Sequence, residues 1–311
     1  MKFLLITLIT HLDPAKTTRQ RFREVVDNAV LGEELFTAVT TLSLLDPVRA
    51  FEDYSTLDNL SGGRLELIIG KGNGTAQAEL FNVTAVTRHG EHLRVEGARL
   101  SRLPDPVPEI YFGGSSKAAG PVAAAHADVY LTWGEPPAQV ASKIEWIRGL
   151  NPGLRFGVRL HVIARDTAEA AWAEAERLLR VVSPADIEAV QAGLRRSESE
   201  GQRRMLDLHG GSRDGLVVAP NLWAGVGLVR GGAGTALVGS HTEIADRIAE
   251  YADLGITEFI LSGYPHLEEA YWFGEGVLPE LRRRGLWRHP DGGGTGAVSV
   301  PFAGVPDPAT A

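Results

Sequence analysis

Residues 109–165 read EIYFGGSSKAAGPVAAAHADVYLTWGEPPAQVASKIEWIRGLNPGLRFGVRLHVIAR. Three apolar runs, Glu109–Gly113, Asp128–Thr132 and Arg155–Ala164, alternate with two stretches of helical spacing, Ser116–His126 and Pro137–Leu150. Continuous apolar strands separated by helices are the pattern of a parallel sheet covered on both faces. The same alternation continues outward. Further strands are expected at Lys2–Thr10, Leu35–Thr41, Arg64–Gly70 and Thr257–Ser262, and further helices at 19–35, Pro47–Leu60, Thr167–Val182 and Thr242–Leu254. A (β/α)8 TIM barrel needs eight strands. The missing strand–helix unit falls between the first helix and Leu35, because that helix runs almost directly into the next strand.

Two segments interrupt the repeat. Val86–Leu100 alternates polar and apolar residues and reads as a small β insertion. Residues 183–240 form a long insertion before the last βα unit, helical at DIEAVQAGL and then glycine-rich at GVGLVRGGAGTALVG. Insertions of this length inside a compact domain are usually lids or disordered segments. The expected organisation is one barrel domain over 1–288 and a Gly/Pro-rich disordered tail over 289–311.

Composition narrows the function classes. The 311 residues would fill two average domains or one barrel of ~250 residues with insertions. With 44% hydrophobic and 23% charged residues, the chain can bury a substantial core. A formal net charge of −8 argues against a nucleic-acid partner, which would demand a basic face. The absence of cysteine excludes disulfides, thiolate metal sites and a thiol nucleophile, and fits a cytoplasmic location. The opening MKFLLITLIT reads as a buried strand rather than a targeting signal, since its apolar run is short and no small-residue cleavage site follows. No run approaches the ~20 apolar residues of a membrane span, so no membrane partner is expected. Nine histidines show no HExxH or comparable spacing, so no metal is expected.

Several motifs sit where barrel strands end. Gly113-Gly114-Ser115-Ser116 links a strand to a helix, where free amides and two hydroxyls suit a phosphate; a plain N-cap explains the serines equally well. Trp133, in TWGEPP, could wall a ligand or pack in the core. Arg159 and His161 lie on one face of their strand, an expensive placement unless they meet an anion or a carboxylate. Arg230, among the glycines of LVRGGAG, is either a lid cation or a solvated loop residue. Ser262-Gly-Tyr-Pro-His266 brings the phenol of Tyr264 and the imidazole of His266 to the barrel mouth. Gly70–Gly74 and Gly225–Arg230 both lack the third glycine of GxGxxG, and neither GxSxG nor a Walker A sequence occurs.

Four stretches carry a resemblance: YFGGSSKAAGPVAAAHADVYLTWGEPPAQVASKI, RFGVRLHVIARDT, NLWAGVGLVRGGAGTALVGS and EFILSGYPHLEEAYWFGE. Over Pro108–Leu281 the chain resembles the alkanesulfonate monooxygenase branch of the bacterial luciferase-like, reduced-flavin family. Residues 1–84 resemble another branch of the same family, without the second strand and its loop and without the helix after AELF. The resemblance implies a barrel enzyme that uses reduced FMN (FMNH2) and O2, through a C4a-peroxyflavin, to release an aldehyde and sulfite from an alkanesulfonate. An NAD(P)H-dependent FMN reductase would be its partner, and a homo-oligomer is expected. The resemblance also assigns roles. Arg159, His161, Arg230 and Tyr264 would surround the sulfonate and the reacting flavin, with His11 and His266 alongside. Gly113, Gly114, Ser115, Ser116 and Trp133 would border the flavin and its phosphate. Two alternatives follow from the missing segment: a truncated, non-catalytic flavin-binding protein, or a family member acting on another substrate.

Overall fold

The computed structural model describes residues 1–5, 20, 23, 35–40, 53–56, 58, 65–69, 86–89, 94–98, 109–197 and 199–288. Strands β1 (Lys2–Leu5), β2 (Leu35–Thr40), β3 (Leu65–Ile69), β6 (Ile110–Gly113), β7 (Val129–Trp133), β8 (Arg155–Arg165) and β12 (Ile256–Ser262) form the barrel wall, with β4 (Val86–His89) and β5 (Arg94–Ala98) as a separate antiparallel pair. The wall runs β2-β3-β6-β7-β8-β12-β1 and every pairing along it is parallel. These are the seven strands expected from sequence. Among the described residues nothing pairs between β1 and β2, the place where the sequence lacks a unit. The tail after residue 288, the helix expected at 19–35 apart from Gln20, Arg23 and Leu35, and His11 lie outside the described residues; Leu35 begins β2 and is not helical.

Alternation along the strands separates two cores. Leu4, Tyr111, Val129, Leu131 and Ile260 cluster in the barrel interior, while Tyr130, Phe156, Val158, Leu160, Val162, Phe259 and Leu261 pack outward with Val140, Ile144 and Ile147 of a covering helix. Because Val158, Leu160 and Val162 face the helices, Arg159 and His161 face the other way, into the barrel mouth.

The covering helices start where local chemistry allows. The first, α1, spans Ala119–His126 and begins three residues later than Ser116, because the Gly-Gly-Ser-Ser turn occupies the intervening residues. The next, α2, spans Pro137–Leu150 with proline at its first position. Thr167 caps α3 (Ala168–Arg180) through the Ala170 amide.

The long insertion is more ordered than its glycines suggest. It holds α4 (Pro184–Leu194), α5 (Glu200–His209), the short strands β9 (Val217–Ala219) and β10 (Leu222–Trp223), a 3-10 turn at Gly225–Leu228, and β11 (Ala236–Ser240). Capping boxes at Ser183/Asp186 and Ser240/Glu243 start α4 and α6 (His241–Asp253). Strand β11 lies parallel to the upper half of β8, pairing Ala236 with His161, on the edge that β7 occupies lower down. Gly134 donates to Arg159 O and His161 donates to Thr235 O, so the edge passes from one neighbour to the other within two residues.

Candidate functional site

Strand register gathers the site. Trp133 is level with Arg159, and Ser262 and Ala236 are level with His161, at the C-terminal ends of the barrel strands. That end is where barrel enzymes build their active sites.

A hydrogen-bonded chain runs through the mouth. Arg159 Nη2 donates to Ser262 Oγ at 2.7 Å, and Ser262 Oγ lies 2.9 Å from His161 Nδ1. His161 Nε2 is 3.1 Å from the Ala233 carbonyl, an acceptor, so Nε2 carries the proton and Nδ1 accepts from the serine. His161 is 1% exposed. Burial, then the charges of Arg159 and Arg230, hold its pKa well below the ordinary imidazole range, which keeps the ring neutral. Burial and Arg230 also push the Arg159 guanidinium down, to about 9, so it remains cationic at neutral pH. Arg159 further donates to the Leu160 carbonyl.

Arg230 completes the group. Its Nη1 donates to Tyr264 Oη at 3.3 Å and lies 3.4 Å from His161 Nε2. Tyr264 stacks on His161 with ring centroids 5.5 Å apart, and on its other side meets buried His266 at 4.8 Å. Among the described residues no carboxylate lies within 4 Å of Arg159 or Arg230. Two guanidiniums and a phenol thus converge with no described carboxylate beside them, an arrangement whose chemistry suits an anionic ligand.

The Arg230 loop is held at its base and along its length. Gly227 N donates to Gly234 O at 2.8 Å, closing the neck. Gln191 Nε2 of α4 donates to both Gly227 O and Leu228 O, and Gln202 Oε1 of α5 accepts from Gly232 N at 3.0 Å.

The Gly113–Ser116 turn lies at the ends of β6 and β7. Gly114 is required by packing: a Cβ there would stand 2.6 Å from Ala119 Cβ and 3.0 Å from the Phe112 ring. At Gly113 a Cβ would meet only ordinary contacts, 3.7 Å from the Leu131 carbonyl oxygen and 3.9 Å from its Cβ. Ser116 Oγ accepts from Ala119 N at 3.3 Å, but the residue at the N-cap position is Ala118, so neither serine is the N-cap weighed from sequence. Ser115 has a different partner. Lys143 Nζ donates to Ser115 Oγ at 3.2 Å and to Thr132 Oγ1 at 2.8 Å, and pairs with Glu135 Oε2 at 3.2 Å. Arg204 grips both Glu135 oxygens, at 2.6 and 2.8 Å. Burial lowers the Lys143 pKa, partly offset by Glu135. Burial acts to raise that of Glu135, but Arg204 and Lys143 outweigh it and hold the carboxyl below its ordinary value. No described residue accepts from the amides of Ser115, Ser116, Lys117 or Ala118, so the turn suits a phosphate-type anion.

Trp133 is roofed by α5: a Cβ on Gly201 would sit 3.0 Å from the indole, so only glycine lets the helix approach this closely. Thus Arg159, His161, Arg230, Tyr264 and His266 converge at one place, with Trp133 level with Arg159 on the neighbouring strand, while Gly113, Gly114, Ser115 and Ser116 lie at the end of β6. Sequence reasoning gave no role to Ser262, Glu135, Lys143, Arg204, Gln191 or Gln202. Lys143 carried a readable signal, because it interrupts the apolar stripe Val140, Ile144, Ile147 of α2.

The comparisons agree with this architecture. The model of the family described as luciferase-like monooxygenase matches residues 34–89 and 78–258. A riboflavin lyase, crystallised with modified FMN and riboflavin, is 18% identical, with 90% of this chain and 75% of that chain covered at a TM-score of 0.66. A long-chain alkane monooxygenase is 18% identical over 81% and 69% of the two chains (TM-score 0.59), and the EDTA monooxygenase of Chelativorans sp. BNC1 is 16% identical over 85% and 78% (TM-score 0.59). At these identities the solved structures speak for the fold, and the family rests on the sequence model, whose matches span more than half of the residues. The chain belongs to the luciferase-like monooxygenase family.

Proposed function

We propose that the protein is a reduced-flavin-dependent monooxygenase that desulfonates alkanesulfonates. The observation that carries this reading is the pair Arg159 and Arg230, which no described carboxylate compensates, with Tyr264 beside them, in the mouth of a barrel of this family. A sulfonate spreads one negative charge over three oxygens and can satisfy two guanidiniums and a phenol at once. The described residues also fit the cofactor. The turn after β6 presents amides that no described residue engages, and Trp133 stands at the end of the next strand.

When bound, reduced FMN with O2 supplies the oxygen-transfer chemistry; the balance is one aldehyde, one bisulfite, oxidised FMN and one water per sulfonate and O2 consumed. The protein's residues orient and insulate. Arg159, fixed by Ser262, binds the sulfonate from the barrel wall. Arg230, on the braced loop, covers it from above and excludes water, which strengthens each charge–charge contact. His161 stays neutral; by donating to Ala233 O it fixes the end of the loop, and by accepting from Ser262 it aligns Arg159. An NAD(P)H-dependent FMN reductase would supply the reduced cofactor, and a homo-oligomer is part of the same reading.

The test is sulfite release from a mid-chain alkanesulfonate in the presence of an FMN reductase, NAD(P)H and air. The wild type should release sulfite, and Arg230→Ala should lose it while still binding FMN. Unchanged turnover in that variant would sink the role of the loop. A folded wild type that binds FMN and releases no sulfite would favour the non-catalytic flavin-binding alternative.

A further inference from the structure

We propose that Glu269 is a positioning residue for Tyr264: its side chain fixes the turn that carries the chain from the barrel wall to the Arg230 contact. The step rests on the reading, above, of Tyr264 as part of the sulfonate site. Strand β12 ends at Ser262, level with His161, whereas β8 runs on to Arg165. Along this extension β11 holds one edge of β8, and the His161 amide donates toward that edge, to Thr235 O. Amides alternate along a strand, so that of Ala164 points to the edge that β12 has left. Glu269 takes the place of the departed strand. From the short helix α7 (His266–Trp272), its Oε2 accepts from Ala164 N at 3.3 Å and its Oε1 from Arg165 Nη1 at 2.5 Å.

The stem of the side chain sets the direction of the turn. Gly263, between Ser262 and Tyr264, packs directly on it: a Cβ there would collide with Glu269 Cβ and Cγ and stand 2.9 Å from Val162 O. The backbone therefore leaves the wall between Val162 and Glu269, and that path delivers the Tyr264 ring onto His161, where its hydroxyl accepts from Arg230. The carboxylate is costly in this place. Its side chain is 1% exposed, and burial pushes its pKa up to about 7 against the pull of Arg165. Arg165 has other company as well, the Trp272 ring at 5.1 Å and Glu174 at 3.8 Å, so the cation alone does not demand Glu269.

The test is calorimetric titration of the full chain with octanesulfonate at pH 8, where Glu269 is mainly ionised, beside thermal unfolding of the same samples. Glu269→Ala and Glu269→Gln both remove the charge, so any change of field at the site is common to them. Both also take the carboxylate from Arg165 and should lower the melting temperature. Only glutamine keeps the stem against Gly263 and an acceptor for Ala164 N. Glu269→Ala should weaken octanesulfonate by about tenfold, the order of one hydrogen bond to a charged group, while Glu269→Gln should bind it within about threefold of wild type. Gly263→Ala intrudes on the same contact from the other side with the carboxylate intact. It should weaken binding as Glu269→Ala does, which covers the case of a Glu269→Ala chain that does not fold. The proposal is overturned if Glu269→Ala and Gly263→Ala bind as wild type does. It is equally overturned if glutamine loses as much affinity as alanine, the mark of a pair that serves the fold alone. A wild type with no affinity for octanesulfonate defeats the sulfonate site and this inference with it, whereas a binding wild type with unaltered variants defeats only this inference.

Discussion

Two cationic groups stand at the mouth of the barrel, and they are balanced in opposite ways. Under the Gly-Gly-Ser-Ser turn, Lys143 and Arg204 share the buried carboxylate of Glu135, and every polar atom of the ammonium is matched. On β8 and the insertion loop, Arg159 and Arg230 approach a neutral imidazole and a phenol, with no described carboxylate in reach. The first arrangement is satisfied inside the protein and holds its neighbours in place. The second has no carboxylate in reach among the described residues and would gain a counter-charge from an anionic ligand. Cation content alone does not distinguish the two groups; the partners within reach do.

The comparison can be broken most severely at Glu135. Glu135→Ala leaves a buried ammonium and a guanidinium without their shared partner and should cost about 3–5 kcal/mol, measured by urea unfolding. A loss under about 1 kcal/mol would mean that the trio is not the internally balanced unit described. At the second group the same operation should do almost nothing to the fold: Arg230→Ala should change stability by no more than about 0.5 kcal/mol, since it relieves a like charge and gives up one long hydrogen bond. Millimolar sulfate should raise the melting temperature of wild type and fail to do so for Arg230→Ala, because only a site lacking its counter-charge gains from an added anion. The smallest effect is an absence of titration. His161 has a folded pKa depressed below its unfolded value of about 6.5, so the stability tied to its neutrality is complete above about pH 6.5 and is lost as pH falls below it. Its imidazole resonances should stay in the neutral form as pH falls from about 8 through about 6.5; a midpoint near 6.5 would contradict the depressed pKa.

Most of the barrel was legible in the chain, for identifiable reasons. Strands buried on both faces leave uninterrupted apolar runs, so all seven wall strands could be placed, and the helix starts expected at Pro137 and Thr242 fall within a residue of those observed. The insertion was legible only at α4. Strands β9 and β10 are too short for a period-2 pattern, and β11, embedded in glycine and alanine, gains its order from pairing with β8. The site divided similarly. Arg159 and His161 were visible because alternation put two polar groups on a buried face, and Tyr264 and Arg230 because of the motifs around them. Partners contributed by remote elements, such as Arg204 for Glu135 across 69 positions, leave no local trace.

The attachment of the insertion to the wall has a bearing on how such a protein can diversify. Strand β8 is the sole described strand that joins both the barrel and the insertion sheet, and the joint is the five-residue ladder above His161. Below it, register is fixed independently by β7 and β12. The cover is therefore not a passive cap: α5 reaches back to the wall through Arg204 on Glu135, and the loop between Gly227 and Gly234 carries Arg230 and receives His161 at Ala233. The register that aims Arg159 belongs to the wall, while half of the cationic pair belongs to the insertion, so a change in the cover changes the pocket without changing the ladder beneath it.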